Sequence, residues 1–189
     1  MTCEKDITLK SFFRFMIAAC FLLLTACGFH PQGEMPLAPP LHKMYVKTQD
    51  PYGYLARNLQ LNLKLSKVQL TDSPSDATTI LAMTEESMSQ EELSVSGTQQ
   101  TRQYNLKITI AFEITDHTGK ILVPSQSLSE TRTITIQSNQ ILGSSNEANL
   151  LYQQMRRALA YSIMYRISSK EITKMIIDGT SSTAAKKHS

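Results

Sequence analysis

The stretch TRQYNLKITIAFEITD, from Thr101 to Asp116, decides the fold of this chain. Apolar and aromatic side chains occupy alternate positions in it, namely Tyr104, Leu106, Ile108, Ile110, Phe112 and Ile114. Polar side chains such as Asn105, Lys107 and Thr109 fall between them. Because successive side chains of a strand point to opposite faces of a sheet, this alternation predicts a strand with one buried face.

The segments on either side of this strand predict two further strands. After it, DHTG (Asp116–Gly119) is typical of a turn, and KILVPSQSLSETRTITIQS (Lys120–Ser138) returns as a strand. Pro124 removes a ladder donor, so that part of the returning strand is an edge or a bulge. Before it, ATTILAMTEESMSQEELSVSG (Ala77–Gly97) begins β-rich and then turns acidic, which predicts a strand with an exposed, irregular far end.

A strand and two helices complete the predicted domain. KMYVKT (Lys43–Thr48) alternates like a strand, and DPYGYLARNLQLNLKLSKV (Asp50–Val68) predicts a helix capped by Asp50 with Pro51 at its first position. The stretch Glu147–Lys170 predicts the last helix. The fold class is therefore α+β: a two-layer α/β sandwich with a four-stranded, mostly antiparallel sheet and two helices on one face, in the order β-α-β-β-β-α.

The last helix is apolar on two sides. Its main stripe consists of Leu151, Met155, Ala158, Leu159 and Ser162. On nearly the opposite side lie Leu150, Tyr161 and Met164. A helix that is apolar on both sides is usually buried on both sides. Either the first helix covers the outer side, or a partner protein does, and the sequence leaves both interpretations open.

The N-terminal residues predict export and a lipid anchor. Lys10 and Arg14 precede FMIAACFLLLTA (Phe15–Ala26), which is too short to span a bilayer and is typical of a signal peptide. The sequence Leu-Thr-Ala-Cys that ends at Cys27 resembles the bacterial lipobox. By that resemblance the Cys27 thiol takes a diacylglycerol, the chain is cut before it, and the new amino group is acylated. The alternative interpretation is an ordinary signal peptide that is followed by a cysteine by coincidence.

The domain boundaries follow from these patterns. Residues 1–26 are the predicted signal peptide, and residues 27–42, which include four prolines, are an extended lipid-anchored tether. Residues 43–169 form the α/β domain. Residues 170–189 end in a small and polar run that predicts a disordered tail.

The composition and motifs exclude several function classes. The chain has 19 basic and 16 acidic residues, a balance that does not indicate a nucleic-acid partner. The four histidines lack zinc-ligand spacing, so we expect no metal and no cofactor. Glu85-Glu86 and Glu91-Glu92 are adjacent pairs, and adjacent strand residues face opposite sides, which argues against a shared acid/base site. We therefore expect a protein without a catalytic residue, and a lipid-anchored hydrolase is only a distant alternative.

Several stretches together resemble one family. They are the lipobox with CGFH, PYGYLARNLQLNL, QYNLKITIAFEITDHTGK and NEANLLYQQMRRALAYSIMYRI, within about residues 20–168. In this order they are similar to the LPS-assembly lipoprotein LptE family. The resemblance implies a non-catalytic, lipid-anchored protein on the periplasmic side of the outer membrane. It implies that the chain plugs the LptD β-barrel, assists its assembly, and helps deliver lipopolysaccharide. Another lipid-anchored scaffold or binding module is the alternative.

The resemblance also indicates where lipopolysaccharide would bind. In an antiparallel meander, the Gly97 turn and the loop Asn139–Asn146 lie at one end of the sheet, opposite Lys120. The family positions for basic residues fall at about Gly97 and Ser144, and neither residue is basic here. We name Arg102 and Arg132 as candidates for contact with lipid phosphate. An exposed strand arginine with no specific role, or a structural ion pair, is the competing interpretation.

Overall fold

The computed structural model describes residues 35–95, 101–137 and 141–187. Five strands form one sheet. They are β1 (Lys43–Lys47), β2 (Gln69–Leu70), β3 (Thr79–Val95), β4 (Thr101–Asp116) and β5 (Ile121–Gln137). The α-helices are α1 (Tyr54–Leu65), α2 (Ile141–Ile167) and α3 (Lys170–Lys187). The sheet order is β2-β1-β3-β4-β5.

The predicted meander is confirmed. β4 pairs antiparallel with β3 on one side and with β5 on the other. The alternating residues of β4 bury one face: Leu106, Ile108, Ile110, Phe112 and Ile114 are each 0% exposed. The helices cover this face, and Met155 and Leu159 of α2 are buried in the same core. The mixed fold with helices on one face of an open sheet is as predicted.

The number of strands is corrected from four to five. β1 runs parallel to β3, from Met44 opposite Thr79 to Lys47 opposite Ala82, because α1 carries the chain back between them. The additional strand, β2, has only two residues and lies parallel to the start of β1. A strand of two residues is too short to show alternation of apolar and polar side chains, so it could not be predicted from the sequence.

The start of α1 also differs from the prediction. Leu55, Leu59 and Leu63 are buried as their spacing indicated. The cap, however, is Gly53, and Asp50 instead closes a turn by accepting a hydrogen bond from the Tyr52 N–H at 3.3 Å. A side chain at Gly53 would meet the Asp50 carboxylate, which would have to move aside and give up its hydrogen bond in the turn.

Both ends of the domain extend beyond their predicted limits. Residues 27–42 are not tether throughout, because Leu37 and Leu41 are buried and Pro39–His42 forms a 3-10 turn. The predicted disordered tail is wrong over most of its length, since Lys170–Lys187 is helix α3. Ile172 and Ile176 are each 0% exposed. These two residues are one helical turn apart, and they precede the polar residues that predicted disorder.

The last helix also begins earlier than predicted. Residues 141–146, assigned to a loop from sequence, belong to α2. Within the helix, Met155, Leu159, Ile163 and Ile167 form the fully buried stripe. Met164, predicted on the outer side, is 1% exposed and belongs to the core. The buried surface of α2 is therefore broader than the main stripe read from sequence.

Asp116 holds the turn between β4 and β5. Its Oδ1 accepts hydrogen bonds from the Thr118 hydroxyl at 2.6 Å, the Thr118 N–H at 2.8 Å and the Lys120 N–H at 3.0 Å. Burial alone would raise the pKa of Asp116, but these donors stabilise the charged form and hold the pKa below its ordinary value. Gly119, with φ of 88°, supplies the left-handed residue of the turn.

We expect Phe112→Ala to lower the free energy of unfolding by about 3–5 kcal/mol, because it leaves a cavity in the centre of the core. Thr109→Ala on the opposite face of β4 is the matched control, with an expected change below about 1 kcal/mol. Urea denaturation followed by circular dichroism measures both. Equal losses for the two variants would contradict one-sided burial of β4.

We expect Asp116→Ala to be destabilising at pH 7 by about 1–3 kcal/mol, because three donors lose their acceptor. The lowered pKa means that this stability is present above the unfolded pKa of about 4 and is lost as the pH falls through the folded value. The difference from the native chain should therefore shrink in urea melts between pH 7 and pH 2.5. Asp72→Ala, at an exposed site, is the control. A difference that stays constant or grows on acidification would contradict this role.

Candidate functional site

Arg102 and Arg132 lie on the helix-covered face of the sheet. Arg102 is opposite Ile136 of β5, and Arg132 is opposite Leu106 of β4. Residues directly opposite in an antiparallel pair point to the same side. Both guanidinium groups therefore belong to the face that carries the core, toward the end of the sheet where β3, β4 and β5 extend past it.

Arg102 is held by its neighbours on β3 and β4. Its Nη1 lies 3.5 Å from Glu92 Oε2, and 48% of the arginine side chain is exposed. Tyr104, two residues along the same face, and Glu92 both raise the pKa of Arg102 above its ordinary value. The group is a cation at every physiological pH and has open surface for an anion.

Arg132 has its own carboxylate. Its Nη2 lies 2.8 Å from Glu130 Oε1, two residues away on the same strand face, and 54% of its side chain is exposed. The register places it four residues along β4 from Arg102, because Leu106 is its opposite residue. Four residues of strand span about 14 Å, so the backbone positions of the two arginines are well separated.

The remaining predicted positions are only partly described. Antiparallel pairing places the end of β3, the start of β4 and the end of β5 at one end of the sheet, opposite the Lys120 turn. Gly97 and Cys27 lie outside the described residues. Ser144 is in helix α2, but its side chain also lies outside them. The structure therefore does not test the roles assigned to these positions.

The paired glutamates do not meet in one site. Glu86 is on the helix-covered face, opposite Ile110, and accepts a 2.7 Å hydrogen bond from Arg156 Nε of α2. Glu85 is opposite Ala111, on the uncovered face. Glu91 and Glu92 alternate in the same way, with Glu92 beside Arg102. This agrees with the expectation that neither pair acts as an acid/base couple.

A cleft of ≈ 430 Å³, which the sequence did not predict, lies at the point where β1 ends. Its walls include Thr48 and Asp50 after β1, Met83 and Glu85 of β3, and Arg156 of α2. These residues are far apart in sequence and no motif joins them. The cleft arises because the chain leaves the sheet after Lys47 while β3 continues.

A second groove, of ≈ 460 Å³, separates the segment before β1 from α3. Leu37 and Ile177 contribute apolar surface, and Lys170 and Lys174 contribute charge. Among the described residues, no group of three or more His, Cys, Asp or Glu side chains is placed to hold a metal ion. Each helix in that part of the chain is too short or too polar to cross a membrane.

A family model described as LptE, lipopolysaccharide-assembly, matches residues 41–167. This range contains the whole sheet together with α1 and α2. The match therefore covers the elements that carry both candidate arginines and the cleft.

Curated relatives match over most of the chain. The LPS-assembly lipoprotein LptE of Pectobacterium atrosepticum is 26% identical over 188 residues, covering 93% of this chain and 97% of the relative. The protein of the same name from Yersinia enterocolitica is 25% identical over 184 residues, covering 91% and 84%.

Two solved structures share the fold. A minor lipoprotein from Acinetobacter baumannii superposes with a TM-score of 0.60 at 22% identity, covering 70% of this chain and 93% of that one. The rare lipoprotein B from Shewanella oneidensis gives a TM-score of 0.59 at 24% identity, covering 68% and 96%. At these identities the likeness concerns the fold.

Proposed function

Because this chain belongs to the LptE family of lipopolysaccharide-assembly proteins, we propose that it acts as the plug and assembly partner of the LptD β-barrel. In that role it takes part in lipopolysaccharide transport and insertion into the outer leaflet of the outer membrane. The match over residues 41–167 carries the proposal, since it spans every strand of the sheet and the two helices that cover it. The family predicted from the sequence motifs is thereby confirmed.

Membership of this family supports a role in assembly rather than in catalysis. Its members are named as lipopolysaccharide-assembly lipoproteins, and this chain is accordingly not an enzyme. The work of such a protein is done by contact. Its function therefore depends on the surfaces that are suited to contact with a partner and with lipid.

The outer surface of the helix layer supports a partner contact. Large apolar and aromatic side chains lie exposed at helical spacing on both helices: Tyr54, Leu61 and Leu65 of α1, and Leu150, Tyr161 and Tyr165 of α2. Arg57 stacks over the Tyr54 ring at 5.0 Å from its centre. Aromatic residues and arginine are enriched in protein interfaces. We call these residues the outer helix surface.

The exposure of side chains on α2 helps to decide what covers the outer side of this helix, which is apolar on two sides. Leu150 is 54% exposed and Tyr161 is 39% exposed, so α1 leaves much of both uncovered. Met164, by contrast, is in the core. A partner that covers Leu150 and Tyr161 is the interpretation this arrangement favours, and within the proposal that partner is the barrel wall.

Arg102 and Arg132 are the proposed contacts to lipopolysaccharide. Each is about half exposed and has one carboxylate neighbour, so its guanidinium retains donors for a phosphate. Their backbone positions are about 14 Å apart along the sheet, and each guanidinium pairs with a different glutamate. We therefore propose that the two arginines contact separate acidic groups, of one lipid or of two.

Attachment to the membrane through Cys27 is part of the proposal. The Leu-Thr-Ala-Cys sequence ends a short apolar run, and the following Gly28 is compatible with transfer to the outer membrane. Each methylene buried in the bilayer contributes about 0.8 kcal/mol, and two or more chains give stable anchoring. Such an anchor would hold the domain at the periplasmic side of the membrane.

We expect Cys27→Ser to abolish incorporation of a labelled fatty acid, because no thiol is left to receive diacylglycerol. Metabolic labelling with an alkyne palmitate in a Gram-negative host, followed by gel detection, measures this. Cys20→Ser is the matched control and should label as strongly as the native chain. Undiminished labelling of the Cys27 variant would contradict the anchor.

We expect Tyr161→Asp combined with Tyr165→Asp to reduce recovery of the LptD barrel by about tenfold or more, because central aromatic contacts at interfaces often carry over 1 kcal/mol each. Affinity purification of the tagged lipoprotein in mild detergent measures recovery. Ile121→Asp, at an exposed apolar site on β5, is the control.

Two results would count against this account. Full barrel recovery by a double variant with native circular dichroism would exclude the outer helix surface as the contact. Absence of the barrel from the native purification would overturn the proposed function itself.

A further inference from the structure

The outer edge of β3 is only partly paired. β1 accompanies β3 from Thr79 to Ala82 and then ends at Lys47. On its inner side β3 continues to pair with β4 as far as Val95. Over residues 85–95, no strand of the described part of the chain pairs with the opposite side. We call this the β3 outer edge.

The central part of this edge has regular geometry. Irregularities interrupt the β3–β4 register between Met83 and Glu85 and again between Glu92 and Ser94, but the pairing from Glu85 to Glu92 is continuous. A strand of this length is about 27 Å long and directs N–H and C=O groups outward at alternate residues. An unpaired edge of this kind is a template for another strand.

Open space lies where such a strand would be seated. The ≈ 430 Å³ cleft begins at Thr48, directly after β1, and continues along Met83, Glu85 and Met88 of β3. Met88 is 55% exposed, and Leu93, farther along the edge, is 51% exposed. A strand paired with β3 would continue the position that β1 leaves, with one end in this cleft.

Charge indicates the kind of strand that fits. Glu86 and Glu92, on the helix-covered face, already contact Arg156 and Arg102. Glu85 and Glu91 lie on the uncovered face, and no salt bridge to either is found among the described side chains. They are six positions apart, or about 20 Å of strand, so they would face two different positions of an added strand.

These carboxylates disfavour other occupants. An anionic lipid surface or a phosphate would be repelled by Glu85 and Glu91. A second copy of this chain, paired antiparallel through the same edge and centred on Met88, would bring Glu85 opposite Glu91, which is destabilising. A basic polypeptide in an extended conformation satisfies both the backbone groups and the charges.

We propose that the β3 outer edge binds a basic, extended segment of a partner protein by β-strand addition. Backbone hydrogen bonds to residues 85–92 supply the affinity, and Lys or Arg side chains opposite Glu85 and Glu91 supply the selectivity. The proposal goes beyond the role as a barrel plug and stands on the geometry of the edge, whichever protein provides the segment.

The probe for the test is a synthetic peptide of about twelve residues in which Lys alternates with Val, long enough to cover the edge. Hydrogen exchange of the full chain with and without peptide is followed by mass spectrometry. We expect added protection within residues 85–95 and none within Ile121–Gln137, the strand at the far edge of the sheet. The same peptide with alternate backbone nitrogens methylated should bind about tenfold or more weakly, since it keeps the charges but loses donors.

Charge is tested with the double variant Glu85→Gln and Glu91→Gln, which should weaken peptide binding about tenfold. Glu113→Gln is the matched control, because Glu113 lies on the uncovered face of β4 away from the edge, opposite Ala82. Its affinity should equal that of the native chain. Circular dichroism confirms that all variants keep the sheet.

Four results would overturn the proposal. The first is no binding at about 1 mM peptide, and the second is equal binding of the methylated peptide. The third is protection confined to other strands. The fourth is protection of residues 85–95 by self-association or by anionic phospholipid vesicles in the absence of peptide. None of these measurements involves the LptD barrel, so the outcome is independent of the proposed function.

Discussion

One-sided burial of β4 is the constraint on which the rest of the structure depends. Its five central apolar side chains, from Leu106 to Ile114, are completely buried, and the residues between them form a polar face with Thr131 and Thr133 of β5. Helices must cover the first face because its burial supplies much of the hydrophobic stabilisation. The second face needs no cover, and Thr133 there donates a 3.3 Å hydrogen bond to Asn105. A single sheet with one helix layer follows from this division.

The parts that sequence predicted well are those with a repeated local pattern. The alternation in β4 and the leucine spacing in α1 report burial directly, so the meander and the first helix could be placed. The parallel pairing of β1 with β3 joins residues 79–82 to a strand more than thirty positions earlier in the sequence. No local pattern predicts a contact between residues so far apart. α3 was missed because the polar residues after Ile177 obscured the buried pair Ile172 and Ile176.

The candidate contact residues could also be predicted only in part from the sequence. The sequence identified Arg102 and Arg132, but only the register shows that they share a face and lie four residues apart along the strands. The β3 outer edge arises because one strand stops while its neighbour continues, which is a property of the assembled sheet. Family membership supports a role in lipopolysaccharide assembly. The outer helix surface and the β3 outer edge are the two separate places where we propose that it meets partners.

The central claim is that this domain works by contact, with its outer helix surface against a barrel wall. Hydroxyl-radical footprinting of Tyr54, Tyr161 and Tyr165, which are 44%, 39% and 71% exposed, tests it most directly. The measurement compares the purified lipoprotein with the same protein in isolated outer membranes. The account predicts that oxidation of all three rings falls several-fold in the membrane, while oxidation of Tyr152 in the core layer changes little. Unchanged oxidation of the three exposed rings would contradict it.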